Sequence, residues 1–240
     1  MANAPLGHAN LFEIDVNPTG VASYKRVGDG LVSSTRALNE AVDKKGYLNG
    51  NGGTNTEVTG LDYVVSFAGD YIPTDLAQAY IFSKTMLLGQ NRHTNFRETW
   101  ADGTINSGDC TITIDTPPGG DANATQAIGF SLNFNAMPSQ TLPVAATNEP
   151  GVFAEGTVIG STKFTPTTPV SGTNTLWYRI SSAAVTSNNR EYISYATPYT
   201  SAANITGVAV TQYCSIWELD VYKHVVFFNC TILTGVVKIA

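Results

Sequence analysis

Leu61-Asp62-Tyr63-Val64-Val65-Ser66-Phe67-Ala68-Gly69-Asp70 alternates strictly, with Leu61, Tyr63, Val65 and Phe67 on one face and Asp62, Val64, Ser66, Ala68 and Asp70 on the other. That period of two predicts a half-buried β-strand. Before it stands a glycine- and asparagine-rich run, Gly46-Tyr47-Leu48-Asn49-Gly50-Asn51-Gly52-Gly53. After it, Asp75-Leu76-Ala77-Gln78-Ala79-Tyr80-Ile81-Phe82 opens a short helix, expected over 75–88. Thr74 is the expected cap, Asp75 favours the positive helix end, and Gly89 is a C-terminal stop. Leu76, Ala79, Tyr80, Ser83 and Leu87 form the expected buried stripe.

Outward from this block the same alternation recurs. Phe12, Ile14 and Val16 oppose Glu13 and Asp15; Asn17-Pro18-Thr19-Gly20 is a turn, and a strand near 23–27 completes a hairpin. Cys110, Ile112 and Ile114 oppose Thr111, Thr113 and Asp115, and Ile128, Phe130, Leu132 and Phe134 oppose Gly129, Ser131, Asn133 and Asn135. These strands share a greasy face and a second face of small polar or acidic side chains. Residues 28–57 show no sustained period of either kind. They read as a long loop that is either disordered or ordered by a partner, and Leu31, Val32, Leu38, Val42, Tyr47 and Leu48, which a free linker would tend to lack, favour the partner.

Met137–Gly151 is rich in Pro, Ser, Thr and Ala and reads as a linker. Beyond it, strands are expected at 157–165, 176–181, 205–211, 213–221 and 225–239. They suit a small C-terminal β-sandwich, for which an immunoglobulin-like arrangement is one solution. The expected division is residues 1–140, a linker at 141–151, and residues 152–240.

Composition narrows the function classes. Residues 1–140 carry eight Lys and Arg against fourteen Asp and Glu, and residues 141–240 carry five against five, so the whole net charge of −6 sits in the first part. Such a surface repels nucleic acid. Cys110, Cys214 and Cys230 are an odd number, and the N-terminal residues lack a basic start and an apolar run. Free, packed thiols in a reducing cytosol are expected, with a Cys214–Cys230 bridge as the alternative. In that setting the sequons at Asn123, Asn204 and Asn229 carry no meaning. The apolar tail from Val225 is too short and interrupted to span a membrane.

No catalytic pattern stands out: His8, His93 and His224 are scattered, and there is no GxSxG, HExxH or CxxC. A calcium loop starting at Asn49 lacks its closing Glu, since the twelfth position is Gly60. No enzyme activity, cofactor or metal is expected.

The ordered set of Gly46–Gly53, Glu57-Val58-Thr59-Gly60, Phe67-Ala68-Gly69-Asp70, Tyr80-Ile81-Phe82, Thr94-Asn95-Phe96-Arg97, Gly119-Gly120-Asp121-Ala122 and Phe134-Asn135 resembles the major tail (tail tube) proteins of long, non-contractile-tailed bacteriophages. The resemblance spans roughly residues 11–140. It implies a mainly β, tail-tube-type sandwich or barrel with one short helix and a long assembly loop, and a C-terminal domain decorating the tube exterior. It further implies self-assembly into rings, hexameric by resemblance, stacked as a conduit for DNA ejection. The implied partners are further copies of the chain, a tape measure protein, and tail terminator and distal tail proteins. DNA passes without specific binding, and no membrane is involved. The implied location is the virion tail, assembled in the bacterial host cytoplasm.

On this reading Leu38, Val42, Gly46, Tyr47, Leu48, Asn49 and Asn51 form an inter-subunit loop, and Asp62, Ser66, Asp70 and Asp115 are candidates to line the lumen. The competing reading is a two-domain adhesin or carbohydrate-binding module. It rests on Trp177, Tyr178, Tyr192, Tyr195 and Tyr199, whose ordinary role is core packing.

Overall fold

The computed structural model describes residues 7–46, 53–121, 124–146, 151–167, 170–234 and 236–239. Over these residues the protein is mainly β with one short α-helix. It forms two compact units, one within residues 7–99 and 105–141, the other within 100–104 and 142–239.

The first unit is one long curled antiparallel sheet. Its strands are β1 (Leu11–Asp15), β2 (Tyr24–Arg26), β3 (Leu31–Gly46), β4 (Thr54–Asp70), β5 (His93–Thr99), β6 (Ile105–Gly119), β7 (Ala127–Phe134) and β8 (Ser139–Thr141). The order is β2-β1-β5-β6-β7-β4-β3, with β8 beside the first residues of β6. Phe12 of β1 and Phe67 of β4 lie four strands apart in that order, yet their rings meet edge-on at 5.0 Å. The sheet therefore folds over on itself, and its concave face is the core. The alternating residues read from sequence fill it: Ile14, Val65, Phe96, Cys110, Ile112, Phe130 and Leu132 are fully buried. Edges β2 and β3 stay apart around a cleft of about 550 Å³ walled by Phe12, Val27, Leu31 and Phe67, so the curl is an open sandwich and not a closed barrel.

The helix α1 (Leu76–Ser83) is shorter than expected, and Asp75, not Thr74, caps it by accepting the Gln78 N–H at 2.7 Å. The buried residues are Ala77, Gln78 and Ile81, while Leu76 is exposed. The expected stripe misses because Gln78 acts as a polar tie. Its Oε1 accepts the Ile72 N–H at 2.8 Å, and its Nε2 donates to the Asp29 carbonyl at 2.5 Å. A buried amide so satisfied costs little to desolvate.

The loop expected over 28–57 is for the most part a β-hairpin, since β3 and β4 pair continuously from Leu31–Gly69 to Gly46–Thr54 with bulges near Val32 and Thr59. Tyr47, Leu48, Asn49 and Asn51 lie outside the described residues. Part of the expected linker is also ordered: Ser139–Thr141 pair with β6, and the Ala146 N–H donates to the Ser187 carbonyl at 2.9 Å.

The second unit is a two-sheet sandwich. One sheet joins β9 (Gly151–Glu155), β10 (Ser161–Pro166) and β13 (Ile205–Thr206). The other joins β11 (Thr175–Ser181), β12 (Thr197–Tyr199), β14 (Tyr213–Leu219) and β15 (Val225–Ile232). Phe164, Leu176, Ile205, Cys214 and Ile216 pack between them. On the opposite face of the four-stranded sheet, Trp217, Leu219, Val225 and Phe228 are covered by Ile193 and Val185. Cys214 and Cys230 occupy adjacent register positions, opposite Thr231 and Ser215 respectively, so they point to opposite faces. Both are free, and burial pushes the Cys214 thiol up to about 12. Among the described residues, no helix is long and apolar enough to cross a membrane.

Candidate functional site

Two surfaces of the first unit stand out. One is the outer half of the β3–β4 hairpin. β4 pairs with β7 only from Val64 to Asp70, so residues 54–62 run past the sheet with β3 as their only strand partner among the described residues. Nine residues at strand rise extend about 30 Å. Residues 37–42 and 54–59 of this arm are all exposed. Leu38 pairs with core-facing Tyr63, and Val42 pairs with Val58. By alternation Leu38, Glu40 and Val42 share the side of β3 that faces the core lower down, and Val58 lies on that side across from Val42. Leu38, Val42 and Val58 are 59%, 45% and 54% exposed. The arm thus carries an apolar strip that no described residue of the chain buries. Of the expected inter-subunit residues, Leu38, Val42 and Gly46 lie on the arm.

The root of the arm is fixed. Arg36 of β3 reaches through the concave side to Glu98 of β5, which is fully buried. Tyr63 of β4 donates its O–H to the other Glu98 oxygen at 2.7 Å, and the Arg36 guanidinium lies 5.4 Å from the Phe12 ring centre. Burial and the bond to Glu98 push the Tyr63 phenol well above its usual range. Three strands and both sides of the fold are tied at the base of the arm. The sequence signal for this was available: Thr94, Phe96 and Glu98 alternate, which puts a carboxylate at a core position and demands a partner.

The second surface is the outward polar face of β4, β6 and β7. These three strands contain no Lys or Arg, while Glu57, Asp62, Asp70, Asp109 and Asp115 are on them. The register places Ser66 opposite Ser131, and Ser131 opposite Thr113. Ser66 donates to Ser131 (2.9 Å), which donates to Asp115 (2.8 Å). Asn133 donates to Thr113 at 2.8 Å, and Asn135 accepts from Thr111 (2.6 Å) and donates to Asp109 (2.5 Å). So Ser66 and Asp115, distant in sequence, meet in one string of hydrogen bonds. Asp62 is set apart, accepting from Asn39 at 3.4 Å, and Asp70 accepts from Thr125 at 2.9 Å. Asp109 and Asn135 belong to this face but escaped the list of lumen candidates.

The five aromatics of the carbohydrate reading do not form one platform. Tyr178 and Tyr199 meet edge-on at 5.9 Å on the sandwich interior, where the Tyr199 hydroxyl donates to the Phe164 carbonyl at 2.8 Å. Trp177 lies on the other sheet face, Tyr195 packs on Trp217, and Tyr192 packs on His224. Among the described residues, no three His, Cys, Asp or Glu side chains are grouped to hold a metal ion.

Residues 154–234, within the second unit, match the family model of the S-layer protein SbsC C-terminal domain. No curated protein matches the chain. Among solved structures, the chain is similar to the tail of an empty gene transfer agent particle, computed by helical refinement with C6 symmetry. That likeness has a TM-score of 0.47 and 18% identity over 58% of this chain and 100% of the other. It is similar also to a chain of the native gene transfer agent virion, with a TM-score of 0.47 and 17% identity over 58% and 100% of the two chains. Domains 7, 8 and 9 of the S-layer protein SbsC give a TM-score of 0.40 and 17% identity over 58% of this chain and 39% of theirs.

Proposed function

We propose that this chain is a structural subunit of a virion tail, which self-associates into rings that stack as a tube for DNA passage. The observation that carries the proposal is the arm: a strand pair about 30 Å long, past the body, with an apolar strip and a fixed root. A monomer gains nothing by keeping Leu38, Val42 and Val58 in water, whereas a second copy covering them removes that apolar area from solvent. A contact from an arm to a different surface of the next copy is heterologous, and such contacts build rings or open stacks.

The polar face supplies the second half. Its carboxylates and hydroxyls bond to one another and hydrate the wall, and β4, β6 and β7 themselves offer no Lys or Arg to hold a phosphate. In a closed ring each acid is repeated by symmetry into a belt of negative charge. The sequence resemblance over residues 11–140 points to the same role, and further tail proteins are its expected partners.

Sedimentation velocity of the purified chain tests self-association. Species larger than the monomer should grow as protein concentration rises. A single monomer boundary over the whole micromolar range overturns the proposal.

The lumen assignment has its own test. Asp62 and Asp70 share a face of β4, about 26 Å apart at strand rise. Asp62 is exposed and Asp70 half-buried, so replacing both with Lys should cost on the order of 1 kcal/mol, most of it at Asp70. Virions carrying both changes should assemble tails but eject DNA slowly, most of all at low salt, where screening is weakest. Ejection at the parental rate in low salt removes these residues from the lumen.

A further inference from the structure

We infer that the second unit carries a binding site for anionic saccharides, formed by Trp177, Arg179, Tyr195 and Lys223. Trp177 and Arg179 are two residues apart on β11 and so project from one face, about 6.7 Å from each other. Each of the two rings holds a cation. Lys223 Nζ stands 4.8 Å from the Trp177 ring centre, and the Arg179 guanidinium 4.9 Å from that of Tyr195. Tyr195, 47% exposed, rests edge-on against Trp217, the residue directly opposite Trp177. Two cations and two aromatic surfaces therefore occupy a patch the size of a short sugar chain.

The cations are held in place before any ligand arrives. Lys223 adopts a left-handed backbone with φ of 66°, a conformation rare for a lysine. The Asp220 turn holds it there: the Lys223 N–H donates to the Asp220 carbonyl at 3.0 Å, and Asp220 Oδ1 accepts the Tyr222 and His224 N–H groups at 2.8 and 2.9 Å. A side chain already ordered on a ring loses less freedom when it binds. The nearby acids are engaged elsewhere, since Asp220 closes its own turn and Glu191 accepts from Ser187 and Asn188.

Carboxylate or phosphate groups on a sugar chain suit the two cations, and the C–H faces of the sugar suit the rings. Nucleic acid fits less well. Its affinity is built from many phosphate contacts, and this half of the chain has as many acids as bases.

Isothermal titration of the full-length protein with a hexamer of galacturonic acid tests the inference, with neutral maltohexaose and a six-nucleotide single strand as comparators. The galacturonate hexamer should bind, and more weakly as salt rises. Arg179→Gln and Lys223→Asn should each weaken it roughly fivefold. Asparagine tolerates the left-handed backbone at 223. The wild-type titrations stand as a test even if a variant fails to fold. No heat of binding with the hexamer up to about 10 mM, equal binding of the neutral hexamer, tighter binding of the oligonucleotide, or full affinity in both folded variants each overturns the site.

Discussion

A chain in which residues 42–59 are replaced by Asn-Gly is expected to fold normally and to lose polymerisation altogether. Ala41 and Gly60 are register partners in the hairpin, so a two-residue type I′ turn can close the shortened pair without disturbing the strands below. Every described position removed is exposed except the half-buried Asp43, and none of the described ones belongs to the buried core. The body keeps β7 on β4 from Val64 onward and keeps the Arg36–Glu98–Tyr63 tie. Thermal unfolding should therefore stay within a few degrees of the parent, on the order of 1 kcal/mol. Assembly should fall below detection in sedimentation, because Val42 and Val58 are gone and only Leu38 of the apolar strip remains. If the clipped chain still forms long particles, the arm is not the contact that builds them.

The second large effect is expected at Glu98. Glu98→Ala leaves the Arg36 guanidinium and the Tyr63 hydroxyl without their shared acceptor at the base of the arm. Breaking a buried pair by removing one partner costs about 3–5 kcal/mol. Arg36 is 31% exposed at its side chain, so water recovers part of the loss and the low end of that range is expected. Replacing both partners, Arg36→Met with Glu98→Leu, should restore much of the stability, since it removes the uncompensated charge and keeps the volume. Urea unfolding distinguishes the outcomes. A Glu98→Ala midpoint equal to the parent would mean the carboxylate does not tie the fold.

These two sites also mark where the sequence was readable and where it was not. The body was legible because its strands are half-buried, so Tyr63, Val65 and Phe67 alternate with polar neighbours, as do Ile112 and Ile114, or Phe130, Leu132 and Phe134. The arm was illegible for the opposite reason. Both of its faces meet solvent, so β3 has no amphipathic period, and the bulge at Thr59 shifts the alternation by one residue. The glycines and asparagines between Gly46 and Gly53 in the sequence then favoured a loop reading. In the second unit, β11 and β14 begin within a residue of their expected positions. The strand expected at 157–165 instead straddles a turn, with Val158 and Ile159 exposed between β9 and β10. A short apolar run fits an exposed turn as well as a strand when no partner is known.

The helix and the two networks show what pattern alone omits. Gln78 looks like a surface residue and is buried because it satisfies backbone groups from two other segments. Ser66, Ser131 and Asp115 were recognisable as members of polar faces, yet only the register of β4, β7 and β6 joins them. Pairing partners far apart in sequence leave no local trace, which is why the candidate lumen was legible as a set of faces and not as a connected wall.

The central claim, that the arm bridges copies of this chain in a tubular assembly, is tested most directly by electron cryomicroscopy of the purified, concentrated protein. The account predicts hollow particles with a regular axial repeat. In their averaged density, residues 38–60 of one copy should lie on a neighbour, and the polar face of β4, β6 and β7 should line the bore. Discrete particles with free arms, or tubes in which the arms touch no other copy, would contradict it.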